Sequence, residues 1–188
     1  MPPRPQLSLA ACLAALAALA AAPAASAQSA TAGWALDRFE PAPAGDVFFA
    51  AEHPRYGERF SYAAGLTLDH AGAPLVFRET LPDGTTADTR VVSAMTVGHL
   101  GASASFLGRV GVSLNLPLSL SQSGTDWSDG IARVGPAASV APGDLRVGAR
   151  VRVFGRAERD ALSLHVGALL WLPTGSPDAN TGDGAARV

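Results

Sequence analysis

Three stretches of the chain alternate apolar with small or polar residues at a period of two: Val110–Leu120, Leu145–Val153 and Leu162–Leu172. In the first, Val110, Val112, Leu114, Leu116, Leu118 and Leu120 share one parity, against Gly111, Ser113, Asn115, Pro117 and Ser119. In the second, Leu145, Val147, Ala149, Val151 and Val153 alternate with Arg146, Gly148, Arg150 and Arg152. Successive strand residues point to opposite faces, so each stretch predicts a ribbon with one apolar and one polar side. Each is about ten residues long, the length that crosses a bilayer as a tilted strand.

Gly- and Ser-rich turn clusters separate these runs, and the mature part carries few helix signals, so the composition is all-β. Reversals at His70–Pro74, Leu107–Arg109 and Gly155–Asp160 read as short, and those at Ser121–Gly143 and Thr174–Gly184 as long. Outer-membrane barrels alternate short periplasmic turns with longer outer loops. Strands placed on that rule run over Phe60–Asp69, Leu75–Thr80, Arg90–Phe106, Arg109–Leu120, Asp144–Phe154 and Ala161–Pro173, with Leu81–Asp88 as an outer loop. If the N-terminus starts in the periplasm, parity asks for one more strand, and Asp46–Ala50 is the apolar candidate. The sequence therefore predicts an antiparallel transmembrane β-barrel of about seven strands, with Ala185–Val188 opening another. The smallest barrels close with eight strands, and hydrocarbon does not tolerate open edges, so an N-terminal fragment of a longer protein is expected. In a soluble β-sandwich binding module, the other solution, the apolar faces would cover one another.

The N-terminus supports export. Arg4 precedes an apolar run from Leu7 to Ala22, and Ala25-Ser26-Ala27 fits a small-x-small cleavage site. The expected division is a signal peptide over residues 1–27, a periplasmic segment over 28–45 and an outer-membrane barrel over 46–188. Cys12 is the single cysteine and leaves with the signal, so neither a disulfide nor a thiolate metal site is expected. All 14 basic side chains are Arg, the net charge is −2, and the positive residues form no runs, which argues against nucleic-acid binding.

Aromatic residues at strand ends are expected at the membrane interfaces: Phe48, Phe49, Phe60 and Trp171 at the outer side, Phe106 and Phe154 at the inner. In the last strand, an apolar parity toward lipid turns Leu169 and Trp171 inward, which calls for a bulge or an apolar plug.

Gly33-Trp34-Ala35-Leu36-Asp37-Arg38-Phe39-Glu40-Pro41 followed by Gly45-Asp46-Val47-Phe48-Phe49 resembles the opening of OmpA-family outer-membrane proteins of Gram-negative bacteria. Gly143–Arg150, Leu170-Trp171-Leu172-Pro173-Thr174-Gly175-Ser176 and Thr181-Gly182-Asp183-Gly184 extend that resemblance, and the Leu-Pro-Thr-Gly stretch also resembles outer-membrane transporter barrels. The resemblance implies a barrel in outer-membrane lipid with a structural role in the cell envelope, or, as a porin-like alternative, a channel for small solutes. Peptidoglycan would be a partner only through a downstream domain that these residues do not include.

The most chemically suggestive pattern is the row Arg146, Arg150 and Arg152, which shares one face and would point into the lumen together with Ser163 and His165 on the next strand and Ser113 and Asn115 on the previous one. Such a row either pairs with carboxylates, Asp144 and Asp160 being the visible ones, or lines an anion path. The four histidines, His53, His70, His99 and His165, have no metal-site or nucleophile-base spacing. His99 with Ser103 or Ser105 is the nearest approach to a hydrolase pair, and polar lumen residues are the simpler reading. Asp178–Asp183 lacks the third ligand and distal Glu of an EF-hand. No enzyme activity, metal or cofactor is expected.

Overall fold

The computed structural model describes residues 34–53, 56–57, 59–128 and 133–188; the expected signal peptide lies outside them. Five long strands carry the fold: β1 (Phe60–Thr80), β2 (Thr86–Phe106), β3 (Val110–Gly124), β7 (Leu145–Phe154) and β8 (Leu164–Leu172). Three two-residue strands, β4 (Trp127–Ser128), β5 (Arg133–Val134) and β6 (Ala141–Pro142), sit in the β3–β7 connection. The long strands form one antiparallel sheet in the order β1-β2-β3-β7-β8, curled into an open half-barrel. There is no α-helix among the described residues, only a 3₁₀ turn at Pro177–Ala179.

Two expected features are corrected. His70–Pro74 is not a reversal. β1 runs straight through it, and the Gly-Ala-Pro cluster is absorbed as a register shift between Gly72 and Leu75, with Ala73 at φ 50. A bulge can hold an extra residue and a left-handed conformation without turning the chain back. The true reversal is the tight turn Leu81–Thr85, where Asp83 accepts hydrogen bonds from the Thr85 amide and hydroxyl. Merging two expected strands into one changes the parity, so no strand is needed before Phe60, and Asp46–Ala50 is indeed not a strand. The count is five long strands rather than seven. Leu81–Thr85, 125–144 and 173–184 gather at one end and Leu107–Arg109 and 155–163 at the other, so the expected alternation of short and long connections holds only in part: the tight turn Leu81–Thr85 shares the end of the long loops, and the longer 155–163 connection shares the end of the tight Leu107–Arg109 turn.

The period-two pattern sorts the faces as the sequence predicts. Leu66, Leu68, Leu100, Val112, Leu114, Val151, Leu164 and Leu170 are exposed on the convex side. Ser105, His99 and Asn115 are buried on the concave side. Phe60 pairs directly with Phe106, their rings 5.2 Å apart, and Tyr62 and Phe154 lie at that same end. Phe60 and Phe106 therefore share one rim instead of marking opposite ones. Phe48 and Phe49 are on the N-terminal segment, with Phe49 stacked on Phe39 at 5.2 Å. Trp171 faces inward, where Arg187 covers its ring at 4.5 Å, and Leu169 faces Gly148. These contacts explain the inward apolar pair without a bulge.

Among the described residues, a conventional hydrophobic core lies on the β1–β2 hairpin. Val91, Val92, Met95 and Val97 are buried there under Leu36, Leu75, Phe77, Trp127 and Val134, and Trp127 stacks on Phe77 at 4.3 Å.

Candidate functional site

The concave face is covered by the chain's own N-terminal segment, residues 34–53 and 56–57. Ser103 Oγ donates to the Ala44 carbonyl at 2.6 Å, and the Gly57 amide donates to Ser105 Oγ at 3.0 Å. Gly45 adopts φ 78, and a side chain there would run into Ala63 on the sheet. Glycine is required at that point by both conformation and approach.

The arginine row meets this segment. Arg146 reaches Glu40 at 3.4 Å and the Pro41 carbonyl. Arg150 reaches Glu52 at 3.3 Å, Asp46 at 3.7 Å and the His53 carbonyl at 3.1 Å. Arg150 and Arg152 lie 5.2 and 5.8 Å from the Tyr56 ring centroid, within cation–π range. Tyr56 stacks on His165, and its hydroxyl meets His165 Nδ1 at 3.1 Å. Burial pushes the Tyr56 phenol up, so it remains protonated at neutral pH.

The carboxylates expected to face the row do other work. Asp144 accepts the Gly175 and Asp183 amides, each at 2.9 Å, and Asp160 accepts the Arg156 amide at 2.7 Å. Asp144 sits just before β7 and Asp160 within the 155–163 connection, where the nearest donors are loop amides. Asn115 is buried beside His99, and Ser113 lies against Gly148 on the same concave face. Ser163 precedes β8 in the connecting turn and is not part of a strand face. An open cleft of 910 Å³ remains beside the segment, bordered by Ser61, Ser103, Ser105, Ser113, Asp46 and Arg150.

The end of the half-barrel carrying the long loops is covered. Asn180, Thr181 and Asp183 are buried. The Leu36 amide donates to the Asn180 carbonyl, and Gln122 donates to Ala179. Asp183 accepts the Ala35 amide at 3.0 Å and pairs with Arg38 at 3.2 Å. Burial raises the Asp183 carboxyl, but the Ala35 and Arg38 hydrogen bonds outweigh it and hold it below the ordinary range. The side chains of Asn180, Thr181 and Asp183 are thus engaged in chain contacts.

His99 is not brought to a serine hydroxyl. Ser103 is engaged by Ala44, and Ser105 by Ser61 at 2.7 Å. Instead His99 Nδ1 meets Asn115 Oδ1 at 3.3 Å, and Nε2 stands 3.4 Å from Asp37. Asp69 completes a group whose three potential ligand atoms lie within 4.8 Å of one another. Burial works to raise the Asp37 carboxyl, and the His99 ring beside it together with the Phe39 amide, which donates to it at 2.9 Å, outweigh that effect, leaving it below its usual range. Periodicity cannot reveal Asp37, Glu40, Asp46 or Tyr56, because they lie on a segment with no strand repeat.

No protein-family model, curated protein or solved structure matches the chain.

Proposed function

We propose that the chain forms the wall of an outer-membrane β-barrel whose role is structural, as the membrane part of an OmpA-type envelope protein, with its own N-terminal segment lodged in the lumen. The observation that carries this reading is inverted polarity. Leu66 and Leu68 on β1 are 63% and 61% exposed, and Leu164 on β8 is 53% exposed, whereas His99 and Asn115 are buried. A soluble domain avoids a continuous apolar surface of this kind, while lipid requires it. The sandwich alternative needs a second sheet over the convex side, and among the described residues the only other sheet is the two-stranded β4–β5. β7 and β8, at 10 and 9 residues, have the length of a tilted membrane strand.

Ion pairing of Arg146 and Arg150 with the N-terminal segment favours a filled lumen over an anion path. The test is folding into lipid vesicles. Leu114→Arg, on the convex face, is expected to lose about 2–4 kcal/mol near the bilayer midplane, and Ser113→Arg, on the concave face, much less. Equal losses would refute the membrane reading.

A channel is the second reading, favoured by the 910 Å³ cleft beside Arg150. If ions pass there, Arg150→Glu reverses the charge selectivity measured in planar bilayers. Absence of conductance from the folded protein would dismiss it.

A further inference from the structure

We propose that Asp37, Asp69 and His99 form a binding site for a divalent transition-metal ion of the zinc type, which clips the N-terminal segment to the sheet. This inference stands on the geometry of the cluster and does not rest on the membrane reading.

The three residues come from three places: Asp37 from the N-terminal segment, Asp69 from β1 and His99 from β2. Thr67 on β1 pairs with His99, and Asp69 is the next residue on that concave face. His99 is 3% exposed, and its Nε2 makes no hydrogen bond although it is buried and directed at Asp37. One oxygen of Asp69 is likewise buried without a hydrogen-bond partner.

Protonation decides what such a cluster needs. Asn115 Oδ1 is an acceptor, so the Nδ1 facing it carries the proton. In the neutral ring the lone pair then lies on Nε2 and points at a carboxylate oxygen. Two like-signed lone pairs facing each other, with a second carboxylate alongside, are relieved by positive charge between them, supplied either by one metal ion or by separate protons on Nε2 and on a carboxylate. A proton on Nε2 satisfies only the Asp37 pair. A divalent cation satisfies all three groups. Metal-ligating histidines characteristically donate their other ring N–H to an acceptor, the place Asn115 holds here. Two tetrahedral zinc ligands at normal bond lengths stand about 3.4 Å apart, which is the His99–Asp37 separation. Two carboxylates and an imidazole leave a fourth position for water, and the mixed O/N donor set suits zinc or manganese better than calcium.

The experiment titrates the full folded chain with Zn²⁺ by isothermal calorimetry at neutral pH, with Ca²⁺ as comparator. Limited proteolysis at Arg38, with Zn²⁺ or with EDTA, reads the clip itself. The expected result is one saturable Zn²⁺ site and slower cleavage at Arg38 in its presence. Asp69→Asn and His99→Gln are expected to abolish both, and Asn115→Ala to weaken binding about 10–100-fold. His70→Gln, outside the cluster, controls for adventitious histidine binding and should change neither. An imidazolium–Asp37 ion pair alone needs no Asp69. Zn²⁺ binding that survives Asp69→Asn, or the absence of a saturable site in the folded chain, would therefore overturn the proposal. Circular dichroism of each variant confirms that the sheet is retained. Should His99→Gln fail to fold, Asp69→Asn carries the decision, since it preserves side-chain shape.

Discussion

Single side chains on this sheet are read by the medium they meet. Asp183 is the residue whose chemistry is most exposed to test, because its carboxylate holds both the Ala35 amide and Arg38 at the covered end of the half-barrel. Its folded value lies below the ordinary carboxylate value of 3.8 that applies to the unfolded chain. The sign follows: the anchoring is fully present above pH 3.8 and is lost as pH falls through the lower folded value. Hydrogen exchange at the Ala35 amide should be slow and pH-independent, after correction for intrinsic rates, down to that point, then accelerate in more acid solution. Asp183→Asn should exchange fast throughout. Protection that persists unchanged to lower pH would show that the carboxylate does not hold the segment.

At the scale of elements, the question is what couples the N-terminal segment to the strands. Arg150 is the largest single tie, contacting Glu52, Asp46 and the His53 carbonyl. The Asp46 carboxylate also accepts the Val47 and His53 amides, so it organises the bend that Arg150 grips. Arg150→Met keeps the stem over Tyr56 but leaves buried charge without its counter-ion. Each charged hydrogen bond lost is worth about 1.5–3 kcal/mol, and much of this falls on local detachment of the segment. Proteolysis between residues 46 and 59 should accelerate in Arg150→Met while the strands stay protected. Equal protection in variant and parent would place the grip elsewhere.

The same scale shows what the sequence makes legible. Strands β3, β7 and β8 are visible because the two faces of the sheet differ in polarity, and that constraint writes a period of two from Val110 to Leu120 and from Leu145 to Val153. The arginine row is legible for the same reason. The β1 bulge is not, because Gly72-Ala73-Pro74 carries the composition of a turn, and local residue preference cannot distinguish a reversal from a kink in a strand. Nor are the partners of the arginines: Glu40, Asp46 and Glu52 lie roughly a hundred positions away, on a stretch with no repeat. Long-range pairing of loop residues leaves no periodic trace.

Topology extends the argument to orientation. The turn at Leu81–Thr85 and the connection 125–144 share one end, and the 155–163 connection lies at the other. With long loops outside, as membrane barrels have them, tags inserted between Asp83 and Gly84, or between Ala138 and Ser139, should be labelled on intact cells. A tag beside Glu158 should be labelled only after the outer membrane is permeabilised. The reverse pattern would invert the orientation, and labelling of all three would deny a membrane barrier between the ends.

For the whole molecule the decisive feature is the pair of sheet edges. Among the described residues β1 pairs with β2 alone, and β8 pairs with β7, its other edge meeting only a single bridge from Trp171 to Arg187. Each unpaired backbone amide or carbonyl costs several kcal/mol in hydrocarbon, so a half-barrel with two open edges is not a stable state of a membrane wall. On the proposed membrane reading these edges would need partners, from further strands or from a second copy of the chain. Residues 34–188 refolded in detergent are therefore expected to associate edge to edge or to aggregate, and not to form a compact monomer. Gel mobility with and without boiling, combined with chemical cross-linking, measures this. Cross-linked dimers, or material whose mobility heating does not change, are the expected result. A compact, heat-modifiable monomer would mean that β1 and β8 meet directly in lipid, and that the curl of the sheet tightens until the N-terminal segment is enclosed on all sides.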